Sequence, residues 1–241
     1  VPFLDPTTTC ETLTECLEDM KGWSERNPGH HPLVTLLEVK DHHDPQTAEA
    51  YLDDLEQTVL DVWPEESLVT PDLVRGDHPD LRTAVETDGW PLLGDVRGRA
   101  LFVLHDGGGF RDAYTDGGAT TAGRALFPDA GGDASLTFAA VHTMNDAVGS
   151  FDAIGAVVDA GHMVRTRADS DSEQAVANDT TSRDAALSSG AHLVSTDYPT
   201  PHAETGYVVT IPDGTPSRCN PHTAPAECTS EAVEDPAVVG P

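Results

Sequence analysis

The sequence predicts an α/β fold built on a parallel sheet. Two observations carry that expectation. Near-continuous apolar runs of strand length recur along the chain, as in strands buried on both faces. Amphipathic stretches with helical spacing separate most of them, which is the alternation of repeated βα units. No run approaches the ~20 apolar residues needed to span a bilayer, so no transmembrane segment is expected.

The elements follow in order. Leu13, Cys16, Leu17 and Met20 recur at helical spacing, so 12–25 reads as a helix. Thr12 and Glu15 form a capping box that starts it, and Asn27-Pro28-Gly29 ends it. The run 33–39 is the first buried strand. Asp44-Pro45 opens a helix over 46–62, with Ala48, Tyr51, Leu52, Leu55 and Val59 on one face. Short helices are expected at 71–76 and 79–89, then a strand at 100–104. Residues 106–135 are rich in glycine and aspartate and read as a long functional loop. A third strand is expected at 136–141, a helix at 147–160, a fourth strand at 163–168, a helix at 173–189 and a fifth strand at 192–196. A short strand at 207–211 and a Pro-rich, frayed tail close the chain. Pattern alone does not choose between an open sheet and part of a closed barrel.

Composition narrows the function. The chain of 241 residues has 42 Asp+Glu against 13 Lys+Arg, a formal charge of −29. A pI near 4.3 excludes nucleic-acid binding through bulk charge. The acids lie among periodic apolar segments, which argues for a folded domain rather than a disordered one. Self-repulsion of this size strains a compact fold at low salt. It fades at molar salt, where the Debye length is about 3 Å. A halophilic source is the preferred reading, and an ordinary acidic secreted protein the alternative.

The four cysteines fall as local pairs, Cys10/Cys16 and Cys219/Cys228. Three connectivities exist for four cysteines, and local pairing is the simplest. It implies an oxidising compartment. Cys10, placed before the helix, could fold back on Cys16. The spacings do not suit a zinc site. The chain opens Val1-Pro2-Phe3, without methionine or a basic leader region, and is expected to be processed or truncated.

Chemistry concentrates at strand ends. On the first strand, Val34, Leu36, Glu38 and Lys40 share one face, and Thr35, Leu37 and Val39 the other. Glu38 and Lys40 therefore stand at the carboxyl end, where parallel α/β proteins bind ligands. A plain ion pair is the bland alternative. Met163, Arg165, Arg167 and Asp169 repeat the pattern. Two arginines on one face of a buried strand are expensive unless they meet anions. Salt bridges to Asp169, Asp171 or Asp197 would be the ordinary explanation. Tyr198 follows the last strand and could stack on a ring or simply pack. His30, His31, His42 and His43 flank the first strand, and surface positions are the commoner reading for them. His105 ends its own strand. Ser188-Ser189-Gly190 is not a nucleophile elbow, and Gly107-Gly108-Gly109 lacks the lysine and helix of a phosphate loop.

Several phrases together resemble a family. They are 27–32 leading into 36–41, Gly89-Trp90-Pro91 with 93–98, 164–169, 186–190, 195–199, and the ending Cys219-Asn220-Pro221 with 224–228. In collinear order over most of the chain they resemble the bacterial calcium-dependent phosphatidylinositol-specific phospholipase C family. The resemblance implies a secreted, monomeric enzyme on a TIM-type (β/α)8 phosphodiesterase barrel. It implies cleavage of phosphatidylinositol to diacylglycerol and inositol phosphate. One histidine acts as base on the inositol 2-hydroxyl, a second protonates the leaving diacylglycerol, and calcium serves as Lewis acid. Glu38 matches the calcium-binding Glu of the fourth strand. Lys40 resembles a phosphate or inositol contact, Arg165 and Arg167 further contacts, and Tyr198 an inositol-facing aromatic.

One departure is expected. The family's two catalytic histidines and its remaining calcium ligands sit on strands one to three, and this chain resembles the portion of the family that comes after the third strand. The expectation is a barrel portion over 1–206 with about five βα units, incomplete at the N-terminus. A disulfide-stapled extension occupies 207–241. No catalytic residue is identified, and the polypeptide alone is expected to be inactive. A glycerophosphodiester phosphodiesterase-like enzyme, or a non-catalytic secreted phosphate- or carbohydrate-binding protein, are the alternatives. The charge reading has its own test. Denaturant unfolding should give higher stability in about 2 M KCl than in about 0.1 M. A maximum below physiological salt contradicts it.

Overall fold

The computed structural model describes residues 9–40, 44–170, 172–212 and 217–234. Helix α1 (Leu13–Arg26) starts at the expected capping box. Thr12 Oγ1 accepts from the Glu15 amide at 3.2 Å, and Glu15 Oε2 accepts from the Thr12 amide at 3.0 Å. Because Cys10 lies before the cap, its Cα comes within 5.3 Å of Cys16, and the two form a disulfide. Cys219 and Cys228 form the second. Among the described residues no helix is long and apolar enough to cross a membrane.

Strand β1 (Leu33–Glu38) is followed by α2 (Ala48–Val62), a 3-10 turn (Glu65–Ser67), α3 (Pro71–Arg75), α4 (Leu81–Thr87) and α5 (Leu93–Val96). Then come β2 (Ala100–His105), α6 (Gly109–Tyr114), β3 (Phe127–Pro128), β4 (Val141–Thr143) and α7 (Phe151–Asp159). The order closes with β5 (Met163–Arg167), α8 (Glu173–Ala177), α9 (Thr181–Ser188), β6 (Leu193–Ser195) and α10 (Ser230–Glu234). Every strand pairing is parallel, and neighbours follow chain order, β1-β2-β3 and β4-β5-β6. Among the described residues a parallel bridge, Asp129 to Val141, joins the two ladders. The strands thus form one arc of parallel βα units.

The two faces of the arc are separate cores. On the outer face Leu33, Leu37, Val39, Phe102 and Leu104 pack against Leu17 of α1 and Leu52 and Val59 of α2. On the inner face Val34, Leu36, Leu101, Val103, Phe127 and Val141 meet Met163 and side chains of α3 to α5. Burying a Leu, Val or Phe side chain contributes about 1.5–3 kcal/mol. Together they set the strand register firmly, because a one-residue slip would exchange the faces.

Four expectations are corrected. The described residues hold an unexpected strand, Phe127–Pro128, inside the glycine-rich segment, where it pairs with β2. Two residues are too few for alternation to register. The strand expected at 136–141 lies at Val141–Thr143, with 136–140 in turns and unpaired segments where Phe138, Ala139 and Ala140 are buried. The helix expected over 173–189 breaks after Ala177, where Asn178 adopts a left-handed conformation (φ 52°). Finally, 207–211 forms no strand. It is held by Val209 donating to the Tyr198 carbonyl and by buried Tyr207. The described part of the tail is also tied down. Arg218 donates to the Leu187 carbonyl, Asn220 to the Gly190 carbonyl at 2.7 Å, and Arg97 to the Val233 carbonyl.

One polar chain runs through the outer layer. His142 and His162 are fully buried. The Gly132 amide donates to His142 Nδ1 at 3.2 Å, which leaves the His142 proton on Nε2. That nitrogen lies 3.0 Å from His162 Nδ1, and His162 Nε2 lies 3.3 Å from Glu86 Oε1. Both imidazoles are therefore neutral donors and acceptors in series. Burial, and then the neighbouring His162, push the pKa of His142 down from 6.5 to about 4. The folded state thus binds fewer protons than the unfolded state between these values. The contribution of His142 is complete above about pH 6.5 and is lost as pH falls toward 4. His142→Gln should destabilise the protein at pH 7, and the gap to wild type should shrink by pH 4.5 in urea titrations at constant salt. A gap independent of pH contradicts the neutral pair.

Candidate anion-binding site at the carboxyl ends of the strands

The inner face turns polar at the carboxyl end of the arc. In-register pairing sets Glu38 of β1 beside His105 of β2, and Thr143 of β4 beside Arg165 of β5. Asp129 follows β3, and Ser195 of β6 pairs with Arg167. Asp129 is buried. Its Oδ1 accepts from the amides of Thr143 at 2.8 Å and Gly131 at 2.9 Å, and its Oδ2 lies 3.5 Å from His105 Nδ1. Thr143 Oγ1 lies 3.2 Å from the same nitrogen. His105 is thereby oriented from Nδ1.

Arg165 is half-buried and carries two hydrogen bonds, from Nη1 to Asn145 Oδ1 at 2.5 Å and from Nη2 to Ser195 Oγ at 2.6 Å. Burial, then the like charge of Arg167, lower its pKa, while Asp129 and Glu38 oppose them. The Lys40 hydrogen bond lowers the pKa of Glu38, burial opposes it, and the charges of Lys40, His105 and Arg167 lower it further. Glu38, His105, Asp129, Arg165 and Arg167 thus share one electrostatic neighbourhood. Among the described residues no carboxylate lies within 4.0 Å of Arg165 or Arg167. Asp169, the salt-bridge partner weighed from sequence, instead holds Thr196 Oγ1 at 2.5 Å, the Asp197 amide at 2.8 Å and the Tyr207 hydroxyl at 3.3 Å.

The other expected residues stand differently. Lys40 lies past the strand end, 78% exposed, with its ammonium 2.5 Å from Glu38. That is the exposed ion pair, a kind worth about 0–1 kcal/mol. Glu38 and Lys40 also line a groove with Leu13, Tyr51 and Leu55 that neither arginine borders. The Tyr198 ring packs edge-on against His202 and Tyr207, with centroids 5.7 and 5.5 Å away. His30 and His31 sit at the opposite, amino end of β1, bonded to Ser24 and to the Val233 carbonyl. Asp41, His42, His43 and Asp171 lie outside the described residues.

Asp129, Thr143, Asn145 and Ser195 do not stand out in the sequence. Asp129 follows the apolar run 125–128, which is the one local signal for a short buried strand. Thr143 and Asn145 keep the parity of Val141, but a strand expected to end at 141 does not reach them.

Calcium binds six to eight oxygens. Among the described residues no three Asp, Glu, His or Cys side chains converge as a metal site. Glu38 offers a carboxylate already hydrogen-bonded to Lys40, and Asp129 turns one oxygen onto backbone amides. These side chains alone do not fit a calcium ion.

Fold and rim together define a parallel α/β protein with two adjacent guanidiniums at its strand ends that meet no carboxylate among the described residues, an arrangement suited to a phosphate-sized anion. The chain belongs to the Ca2+-dependent phosphoinositide phospholipase C family, whose model matches residues 1–221. A solved structure of a calcium-dependent phosphoinositol-specific phospholipase C from a Gram-negative Pseudomonas species, a myo-inositol complex, is similar with 22% identity and a TM-score of 0.55. The match covers 68% of this chain and 61% of that one. A Ca2+-dependent phosphatidylinositol-specific phospholipase C from Streptomyces antibioticus is similar with 19% identity and a TM-score of 0.57, over 80% of this chain and 72% of that one. No curated protein sequence matches.

Proposed function

We propose that the protein is a calcium-dependent phosphodiesterase that cleaves phosphatidylinositol to diacylglycerol and inositol phosphate on a TIM-type barrel, and that the arc of parallel strands is part of that barrel. The observation that carries this reading is the pair Arg165 and Arg167, which meet no carboxylate among the described residues and stand beside Glu38 and His105. In a chain with more than three acids per cation, two adjacent guanidiniums on an inner strand face are stabilised by an external anion. Arginine suits phosphate because its planar fork gives several parallel hydrogen bonds. Family membership supports phosphoinositide as the anion's source. The calcium dependence rests on the family's description; among the described side chains Glu38 offers a single oxygen ligand. Secretion is supported by the two disulfides.

In this reading Arg165 and Arg167 bind the phosphodiester and spread its charge. Asp129 and Thr143 hold His105 so that Nε2 faces the rim as a hydrogen-bond partner for a headgroup hydroxyl. Lys40 enters the site by exchanging Glu38 for the anion. Tyr198 borders the headgroup from the far side of β6.

Calorimetry with myo-inositol 1-phosphate tests the grip. Arg165→Gln and Arg167→Gln should each weaken binding by about 10- to 100-fold, the range for a charge-assisted hydrogen bond. Unchanged affinity in both variants removes the reading. Turnover of phosphatidylinositol with calcium tests the chemistry. Cleavage of glycerophosphodiesters but not of phosphatidylinositol replaces the substrate. Binding without turnover keeps the headgroup site and removes the phosphodiesterase reading for this polypeptide.

A further inference from the structure

The Arg165 guanidinium is fixed at two points, and both acceptors are uncharged. Nη1 donates to the Asn145 amide oxygen and Nη2 to the Ser195 hydroxyl. Both supports are themselves anchored. Ser195 Oγ donates to the Thr166 carbonyl at 3.3 Å, which directs a lone pair toward Arg165. The Ser195 carbonyl accepts from the Ala168 amide at 2.9 Å. Asn145 follows Met144, whose amide donates to the Arg165 carbonyl at 2.9 Å and whose carbonyl accepts from Thr166 Oγ1 at 2.6 Å. A guanidinium has five N–H donors. With two engaged, three remain for a ligand.

Arg82, Arg97, Arg99 and Arg218 are also held by neutral oxygens, in their case backbone carbonyls, but three arginines are fixed in the opposite way. Arg124 is clamped by Asp53 at 2.8 Å and Glu56 at 3.2 Å, Arg75 by Asp72 at 2.9 Å, and Arg183 by Asp184 at 2.9 Å. There the carboxylate orients the cation and cancels its charge together. At Arg165 the two effects are separated.

We propose that Asn145 and Ser195 are positioning residues of the anion site, which orient Arg165 through neutral oxygens so that its full charge stays available to the bound phosphodiester. This rests on the reading that Arg165 holds that anion. The selective substitution is Asn145→Asp, which keeps shape and acceptor but adds a charge. A structural role alone would tolerate or strengthen it. A role in orienting without neutralising would not.

The experiment measures myo-inositol 1-phosphate affinity and thermal unfolding at one fixed ionic strength. The variants are N145D, N145A, S195A and R165Q. N145D should lose about tenfold or more in affinity while its melting temperature stays at or above the wild-type value. N145A and S195A should lose less, because they loosen the arginine without cancelling its charge. Wild-type affinity in N145D, or equal losses in N145D and N145A, overturns the inference. Should N145D fail to fold, wild-type affinity in both N145A and S195A overturns it instead. The two readings fail separately. Wild-type affinity in R165Q sinks the anion site itself, whereas a large loss in R165Q with none in N145D sinks only the role of the neutral acceptors.

Discussion

Parallel, in-register pairing is the constraint on which the site depends. Side chains along a strand alternate faces, so pairing Glu38 with His105 also aligns Val34 and Leu36 with Leu101 and Val103. The same apolar residues that bury the inner face therefore fix which polar residues reach the rim together. Loss of register would send Glu38 and the arginines toward the helices. The core at the amino end of the strands and the chemistry at the carboxyl end are two consequences of one alignment.

The second constraint is electrostatic. Despite a formal charge of −29, only Lys40, Arg75, Arg111, Arg124 and Arg183 have a carboxylate within 4.0 Å among the described residues. Near the rim, the acids have partners other than the two arginines. Asp169 is taken up by Thr196, the Asp197 amide and Tyr207, and Asp129 by two amides and His105. Each carboxylate is satisfied by donors that are not Arg165 or Arg167. The guanidiniums keep their field, and their mutual repulsion is a cost that a bound anion would offset. The Glu38–Lys40 pair is different, since it is exposed and easily exchanged.

Elements with a full turn or several alternations were legible. The capping box of α1, the strand 33–38 and the strand 163–167 stand close to where periodicity places them. Elements of two or three residues were not. Phe127–Pro128 and Val141–Thr143 are strands because neighbouring strands pair with them, and no local pattern of that length carries the information. The error had a cost for function, because Asp129, Thr143 and Asn145 follow or end those short strands. The break at Asn178 was equally hidden, since the flanking alanines support either one helix or two.

Local chemistry in the sequence determined the parallel βα alternation, the local cysteine pairs, the acidic charge, and the parity that puts Glu38 on one face and Arg165 with Arg167 on one face. These are properties of residues near one another along the chain, governed by helical and strand periods. Tertiary structure alone decided that the two faces meet at one rim, that Lys40 sits on Glu38, and that Tyr198 packs against Tyr207. It also decided that Arg165 leans on the uncharged side chains of Asn145 and Ser195. Those outcomes depend on which of many possible partners lies within hydrogen-bond reach, and separations of tens of residues along the chain carry no trace of that distance.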